Sequence, residues 1–115
     1  MLTEDLQIYR DTYKLASMLL AQYQNINKYV RHSVYSDIIS ASCEACDLVY
    51  RANSDMTGRT QHLQRYLEVI GGIRTRVRLL GEQRYVNVKF ATNVMYMLDK
   101  ISKQATGWRN SCAKR

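Results

Sequence analysis

Apolar residues recur at alternating spacings of three and four in four separate stretches of the chain, a spacing that lines one face of an α-helix. The chain contains no proline, the residue that most strongly breaks helix interiors. The pattern therefore predicts an all-α protein with helices over roughly residues 3–24, 28–52, 58–81 and 87–110, followed by a basic C-terminal tail at 111–115. The four apolar stripes are Leu6, Tyr9, Tyr13, Ala16, Leu20 and Tyr23; Val34, Ile38, Ala41, Ala45, Leu48 and Ala52; Leu63, Tyr66, Ile70, Ile73, Val77 and Leu80; and Ala91, Val94, Leu98, Ile101, Ala105 and Trp108.

The breaks between the four segments are short and contain the Asn, Ser, Asp and Gly residues that turns require. Helices joined by short connections pack as antiparallel neighbours, so the sequence predicts one domain, 1–115, folded as an antiparallel up-down four-helix bundle. Gly71 and Gly72 oppose the pattern within the third helix, because each glycine costs about 1 kcal/mol relative to alanine. Close packing against a neighbouring helix and a local bend that exposes backbone to a ligand are both open explanations.

The first two predicted helices carry further apolar residues about a quarter turn from their main stripes. A helix at the corner of a small bundle cannot turn both stripes inward, so we expect a homo-oligomer. The alternative is that these residues only widen the core of one subunit. The predicted interface residues are Ile8, Leu15, Leu19, Tyr35, Ile39 and Val49.

The excess of positive charge lies in the C-terminal half of the chain. Seventeen Lys and Arg residues against ten Asp and Glu give a net charge of +7: residues 1–26 contribute −1, residues 27–53 zero, residues 54–86 +3 and residues 87–115 +5. Arginine binds phosphate with two parallel hydrogen bonds and a base can stack on tyrosine, so the third and fourth helices suit an RNA or DNA backbone. The alternative is an ordinary solvated helix face. The predicted nucleic-acid-binding residues are Arg65, Arg74, Arg76, Arg78, Arg84, Lys89, Tyr96, Lys100 and Lys103.

Residues with the chemistry of catalysis or metal binding are few. Cys43 and Cys46 have the two-residue gap of zinc and redox sites, but no second pair of ligands accompanies them, which favours buried thiols. His32 and His62 are not at a metal-ligand spacing. The sequence therefore predicts no enzyme, no metal and no cofactor. No run approaches the roughly 18 apolar residues of a membrane span, and three cysteines are typical of a reducing compartment, so we expect a cytoplasmic protein without a membrane partner.

Four segments carry a resemblance to a known family: Ile8-Tyr9 with Tyr13, then 49–54 (Val-Tyr-Arg-Ala-Asn-Ser), 67–69 (Leu-Glu-Val) and 101–108 (Ile-Ser-Lys-Gln-Ala-Thr-Gly-Trp). Together they resemble the accessory variability determinant family of diversity-generating retroelements. These four-helix bundle proteins are related to those encoded by intervening sequences in bacterial 23S rRNA genes. The likeness extends over about residues 6–110, and the pair Gly71-Gly72 departs from it.

The resemblance implies a noncatalytic, basic, ring-forming protein, pentameric in the family. It implies binding to the reverse transcriptase of the same element and to template RNA and cDNA, in support of mutagenic reverse transcription and retrohoming. An interaction protein of the rRNA intervening-sequence type, without a polymerase partner, is the alternative. A purely structural oligomer whose charge serves only solubility is a third reading.

Overall fold

The computed structural model describes residues 1–113, and the regular structure in this range is entirely helical. The long helices are α1 (Gln7–Ala21), α2 (Ser36–Ser54), α3 (Arg59–Glu82) and α4 (Val88–Ala113). Helix α2 is extended at its N-terminus by a helical turn, Lys28–Val30, and a π-helical segment, Arg31–Tyr35. Short 3₁₀ turns occupy Thr3–Asp5 and Tyr23–Asn25. The predicted all-α class is confirmed, and the four helices are compatible with a helical bundle.

The helix boundaries differ from the prediction at two places. Helix α1 begins at Gln7 rather than near residue 3, because Leu6 has an extended backbone that separates α1 from the preceding turn. Helix α4 continues through Gly107 to Ala113, so residues 111–113 are helical rather than part of a tail. Two contacts with α3 hold the last turns of α4: Arg109 Nη1 donates to Gln64 Oε1 at 2.8 Å, and the Arg59 guanidinium lies 5.4 Å from the Trp108 ring. Positions 114 and 115 of the predicted tail lie outside the described residues.

The core is formed by all four long helices. Helix α1 packs against α2 and α4, and α3 packs against the same two helices. The molecule is elongated, measuring 46 × 21 × 20 Å. Full burial of each large aliphatic side chain contributes about 1.5–3 kcal/mol to folding. The largest fully buried side chains include Leu15, Leu19, Tyr35, Ile38, Tyr66, Ile70, Ile73, Leu98 and Ile101.

The structure reverses the predicted roles of the two apolar stripes of α1. Leu15 and Leu19 are completely buried in the core of the chain itself and Ile8 nearly so, whereas Tyr13 is 59% exposed and Leu20 is 60% exposed. Both stripes have helical spacing, so spacing could not decide which one faces inward. The aliphatic stripe is buried, and the outward one carries tyrosine, which more often keeps contact with water.

The predicted interface on α2 and its extension is corrected in the same way. Tyr35 and Val49 are completely buried within the chain, so neither is available to a second subunit. Ile39 is half-buried and keeps part of its surface exposed. Tyr35 is inward because its hydroxyl donates to the carbonyl of Leu19 at 2.6 Å, which ties the extension of α2 to the end of α1.

Two polar residues of α1 fix its contacts with α3 and α4. The Tyr66 hydroxyl of α3 donates to Thr12 Oγ1 at 2.7 Å, and Thr12 in turn donates to the carbonyl of Ile8 at 2.6 Å. Asp11 is 6% exposed and accepts hydrogen bonds from Gln7 Nε2 at 2.9 Å and from Gln104 Nε2 of α4 at 2.8 Å. Burial on its own raises the pKa of Asp11, but these two amides and Lys100 outweigh it, so the pKa lies below its ordinary value.

The Gly71-Gly72 pair lies in continuous α-helix, and neither glycine has a positive φ. A methyl group at Gly71 would meet nothing within 4 Å, and one at Gly72 would approach only Arg76 Nη1, the end of a flexible side chain, at 3.2 Å. Close helix packing therefore does not explain the pair. Nothing in the structure requires glycine at either position.

We predict that Asp11→Asn destabilises the protein at pH 7 by about 1–3 kcal/mol, because the amide cannot accept from both neighbours as the carboxylate does. A carboxyl group with a lowered folded-state pKa stabilises above its unfolded pKa of about 3.9, and this contribution is lost as the pH falls through the folded pKa. The melting temperatures of wild type and variant, followed by circular dichroism, should therefore converge at low pH. A constant difference from pH 7 to pH 3 would contradict this, and Asp47→Asn, at an exposed position of α2, is the matched control.

Candidate nucleic-acid interface

The outer face of α4 carries four of the predicted residues. Lys89, Tyr96, Lys100 and Lys103 are separated by seven, four and three positions, so they share one side of the helix. All four are exposed, and Tyr96 is 70% exposed. The opposite side of α4 holds the buried residues Val94, Leu98, Ile101 and Ala105. This face combines positive charge with one accessible aromatic ring.

Ion pairs engage four of the nine predicted residues. Arg74 Nη2 lies 2.7 Å from Asp99 Oδ1, and Arg78 Nε lies 3.0 Å from Glu82 Oε1. Arg65 pairs with Glu44 at 3.1 Å and with Glu68 at 3.7 Å, and Lys100 Nζ lies 3.6 Å from Asp11 Oδ2. Exposed pairs contribute only about 0–1 kcal/mol each, but each carboxylate cancels a positive charge locally. The positive electrostatic potential around α3 and α4 is therefore weaker than their number of Lys and Arg residues suggests.

The predicted arginines of α3 lie on two different sides of the helix. Arg74 faces α4, where its Nη1 lies 3.9 Å from Met95 Sδ, and Arg78 lines the adjoining groove beside Met95. Arg65 and Arg76 line the groove between α2 and α3 together with Asp37, Glu44 and Glu68. That second groove carries charges of both signs. The nine predicted residues therefore do not form one continuous basic surface.

A further concentration of positive charge lies at one end of the molecule, where the α1–α2 and α3–α4 connections meet. A small cavity there is lined by residues of both connections: Gln22, Asn25, Ile26, Tyr85, Val86, Asn87 and Phe90. We call this region, residues 22–35 and 83–93, the acid-free end, because it contains none of the ten Asp and Glu residues of the chain. Its Lys and Arg residues are Lys28, Arg31, Arg84 and Lys89.

Sequence reasoning found Arg84 and Lys89 but missed Lys28 and Arg31. Residues 27–53 are neutral as a whole, because the acidic residues Asp37, Glu44 and Asp47 offset Lys28, Arg31 and Arg51. Counting acidic residues in each connection, instead of net charge over whole helical segments, would have identified the end.

The cysteines and histidines have ordinary structural environments. Cys43 is exposed, contrary to the expected burial, while Cys46 is half-buried, and all three cysteines are free. Burial, with smaller contributions from Cys43 and Asp47, raises the pKa of the Cys46 thiol to about 11, which disfavours the reactive thiolate. His32 Nδ1 lies 2.8 Å from the Tyr23 hydroxyl, and His62 Nε2 lies 3.0 Å from Asp55 Oδ2. Across the described part of the chain, no group of three or more His, Cys, Asp or Glu side chains is placed to hold a metal ion.

Within residues 1–113, no helix combines the length and the apolar character that a membrane span requires. No protein-family model and no curated protein matches this chain.

We predict that Glu82→Gln/Asp99→Asn strengthens RNA binding, because it releases Arg78 and Arg74 from their carboxylate partners. Each freed cation should steepen the salt dependence by about 0.7 in the slope of log affinity against log salt. Glu44→Gln/Glu68→Gln, which adds the same charge on the α2–α3 side, is the matched control and should have the smaller effect. Fluorescence anisotropy with labelled RNA at several salt concentrations measures the affinity and its salt dependence. Equal effects of the two double variants would contradict a preference of RNA for the α4 side.

Proposed function

We propose that this chain is a noncatalytic accessory protein of a diversity-generating retroelement. In this role it binds the element's reverse transcriptase together with template RNA and cDNA, and it supports mutagenic reverse transcription and retrohoming in the cytoplasm. The observation that carries the proposal is the exposed face of α4, where three lysines and Tyr96 stand on one side of a four-helix protein. Lysine and tyrosine on one face suit phosphates and bases without sequence readout.

Residues that carry the family resemblance make structural contacts, which supports the fold implied by that resemblance. Asn53 Nδ2 donates to the carbonyl of Met1 at 3.0 Å and to Thr3 Oγ1 at 3.1 Å, and so holds the start of the chain against the end of α2. Gln104 binds the buried carboxylate of Asp11, and Trp108 lies beneath the guanidinium of Arg59. These contacts hold the helices and the start of the chain together.

The proposal includes an antiparallel up-down order of the helices. Tyr35, just before α2, hydrogen-bonds the end of α1, and Asn53 near the end of α2 reaches the start of the chain. Arg59 at the start of α3 lies beside Trp108 near the end of α4. Contacts between the end of one helix and the start of the next are those an up-down bundle makes.

A ring-like homo-oligomer, pentameric as the resemblance implies, is also part of the proposal, with a corrected interface. The support is the outward apolar stripe of α1: Tyr9, Tyr13, Ala16 and Leu20. Ile39 of α2 adjoins Leu20 in a shallow groove between the two helices. Arg10 and Lys14 flank the stripe on α1, and Asp47 is exposed on α2, so α1 of one copy against α2 of the next would bring opposite charges together. A head-to-tail contact of this kind generates a ring when the rotation between successive copies closes.

The second candidate function is an interaction protein of the rRNA intervening-sequence type with no polymerase partner. It is favoured by the ion pairs of Arg65, Arg74, Arg78 and Lys100, which lower the positive charge available to RNA on α3 and α4. The two functions differ in whether a reverse transcriptase binds the chain.

The proposed function is tested by expressing the tagged chain with the reverse transcriptase and template RNA of the same element. We expect the polymerase to co-purify with the chain and cDNA synthesis to require both proteins, while the chain alone synthesises none. A polymerase that elutes separately and makes the same amount of cDNA without the chain would exclude the accessory role and favour the second candidate.

The proposed interface predicts that Leu20→Glu dissociates the oligomer and leaves the helicity unchanged, because this side chain is 60% exposed within the subunit. Leu15→Glu, at a fully buried position, should instead unfold the subunit by burying an unpaired charge. Light scattering reports the mass and circular dichroism the helicity. Met56→Glu, at a 75% exposed position between α2 and α3, is the control that should change neither. A wild-type monomer at all concentrations would overturn the assembly.

A further inference from the structure

The acid-free end differs from the sides of the molecule in whether its Lys and Arg side chains are paired with carboxylates. On the sides, Arg65, Arg74, Arg78 and Lys100 are paired with carboxylates. At the end, no carboxylate in residues 1–113 lies within ion-pair distance of any of the four cations. The nearest acidic residue along the chain, Glu82, is engaged by Arg78 at 3.0 Å. This charge is therefore available to an anionic ligand.

Tyrosine rings stand among these cations. Tyr29 is 75% exposed, and the ammonium group of Lys28 lies 5.5 Å from its ring centroid. Tyr85 is 38% exposed and lines the cavity between the two connections. Exposed aromatic rings beside positive charge are the features with which proteins hold unpaired bases and the phosphates that join them.

The α1–α2 side of this end is held in one conformation by several hydrogen bonds. Arg31 donates to the carbonyl of Ile26 from Nε at 3.2 Å and from Nη2 at 3.1 Å, and Nη2 also donates to the carbonyl of Gln24. Asn27 Oδ1 accepts from the backbone N–H of Tyr29 at 2.8 Å. Arg31 is therefore a positioning residue, and the ring of Tyr29 is presented on a fixed backbone, which lowers the entropy cost of binding.

On the α3–α4 side, Arg84 has a backbone φ of 64°, in the left-handed region. Helices commonly end with glycine in this conformation, since a side chain is strained there by about 1 kcal/mol or more. This backbone conformation ends helix α3, because it lets the N–H of Tyr85 donate to the carbonyl of Leu80 at 2.9 Å. Glycine would adopt this backbone conformation with less strain. The backbone therefore does not account for an arginine side chain at position 84.

The cavity between the connections adds groups that can read a base edge. Gln22 and Asn25 line it together with Tyr85, and Asn25 Nδ2 donates to Gln22 Oε1 at 3.4 Å. Amide side chains present both donors and acceptors, as the edges of unpaired bases do.

We propose that the acid-free end binds single-stranded nucleic acid, with Tyr29 and Tyr85 stacking on unpaired bases and Lys28, Arg84 and Lys89 neutralising the adjacent phosphates. The inference rests on the proposed nucleic-acid function and names the form of the ligand and its place. A single strand is favoured over a duplex because paired bases are stacked inside the helix and leave the tyrosine rings unoccupied. The molecule is only 21 × 20 Å across its short axes, so the site takes a short segment of strand.

The test compares a fluorescein-labelled oligouridine of about 12 nucleotides with an RNA duplex of the same length, by fluorescence anisotropy. Wild type should bind the single strand more tightly. Tyr29→Ala should weaken single-strand binding by about 5- to 150-fold, the value of one base–aromatic stack. Tyr29→Phe keeps the ring and should remain within about twofold of wild type. Because Tyr29 is exposed, both variants should fold normally by circular dichroism.

Charge variants test the phosphate contacts. Lys28→Gln/Lys89→Gln should reduce the slope of log affinity against log salt by about 0.7 per residue. Arg51→Gln removes one charge from an exposed position of α2 and should reduce the slope less than Lys28→Gln or Lys89→Gln alone. Equal effects of the three single variants would overturn the site, because binding would then follow net charge alone.

The remaining outcomes separate this inference from the proposed function. Unchanged binding by Tyr29→Ala, or tighter binding of the duplex by wild type, overturns the single-strand site while leaving RNA binding elsewhere on the protein intact. No binding of either RNA by wild type overturns the site as well. The accessory role is judged independently, by co-purification with the reverse transcriptase.

Discussion

The rotation of α1 about its own axis is fixed by polar contacts on either side of its buried face. Thr12 bonds Tyr66 of α3, and Asp11 bonds Gln104 of α4. Turning the outward stripe toward the core would break both contacts and bring the fully buried Leu15 and Leu19 out of the core, at a cost of about 1.5–3 kcal/mol for each leucine. With α1 fixed in this way, its aliphatic side chains fill the core and its tyrosines face outward. The proposed interface between copies depends on that orientation.

The sequence was most informative where a helix has a single apolar stripe. All six residues of the stripe predicted for α3 are buried, as are the four central residues of the α4 stripe from Val94 to Ala105. For α1, two stripes of equal spacing competed, and the partners that decided between them, Tyr66 and Gln104, lie 54 and 93 positions away along the chain. Periodicity within one helix contains no information about such partners.

The same limit applies to the candidate site. The shared face of Lys89, Tyr96, Lys100 and Lys103 follows from helical geometry, so it could be predicted from spacing. The pairing of Arg74 with Asp99 joins two helices, and that of Lys100 with Asp11 joins the last helix to the first, so neither could be predicted from local sequence. The α1–α2 and α3–α4 connections are far apart along the chain, so their contact at one end of the molecule could not be predicted from local sequence either.

The elongated shape has a consequence for an assembly of several copies. The outward stripe of α1 runs along the 46 Å dimension, while the acid-free end caps it, so the proposed contact between copies and the proposed contact with a strand would use different surfaces. Cyclic symmetry places equivalent points of every subunit at the same height along the ring axis. In a ring whose subunits stand with their long dimension along the ring axis, the ends would therefore lie together on one rim. A strand held weakly by one subunit would meet the next at a high effective concentration, and the avidity of the rim would exceed the affinity of any single site.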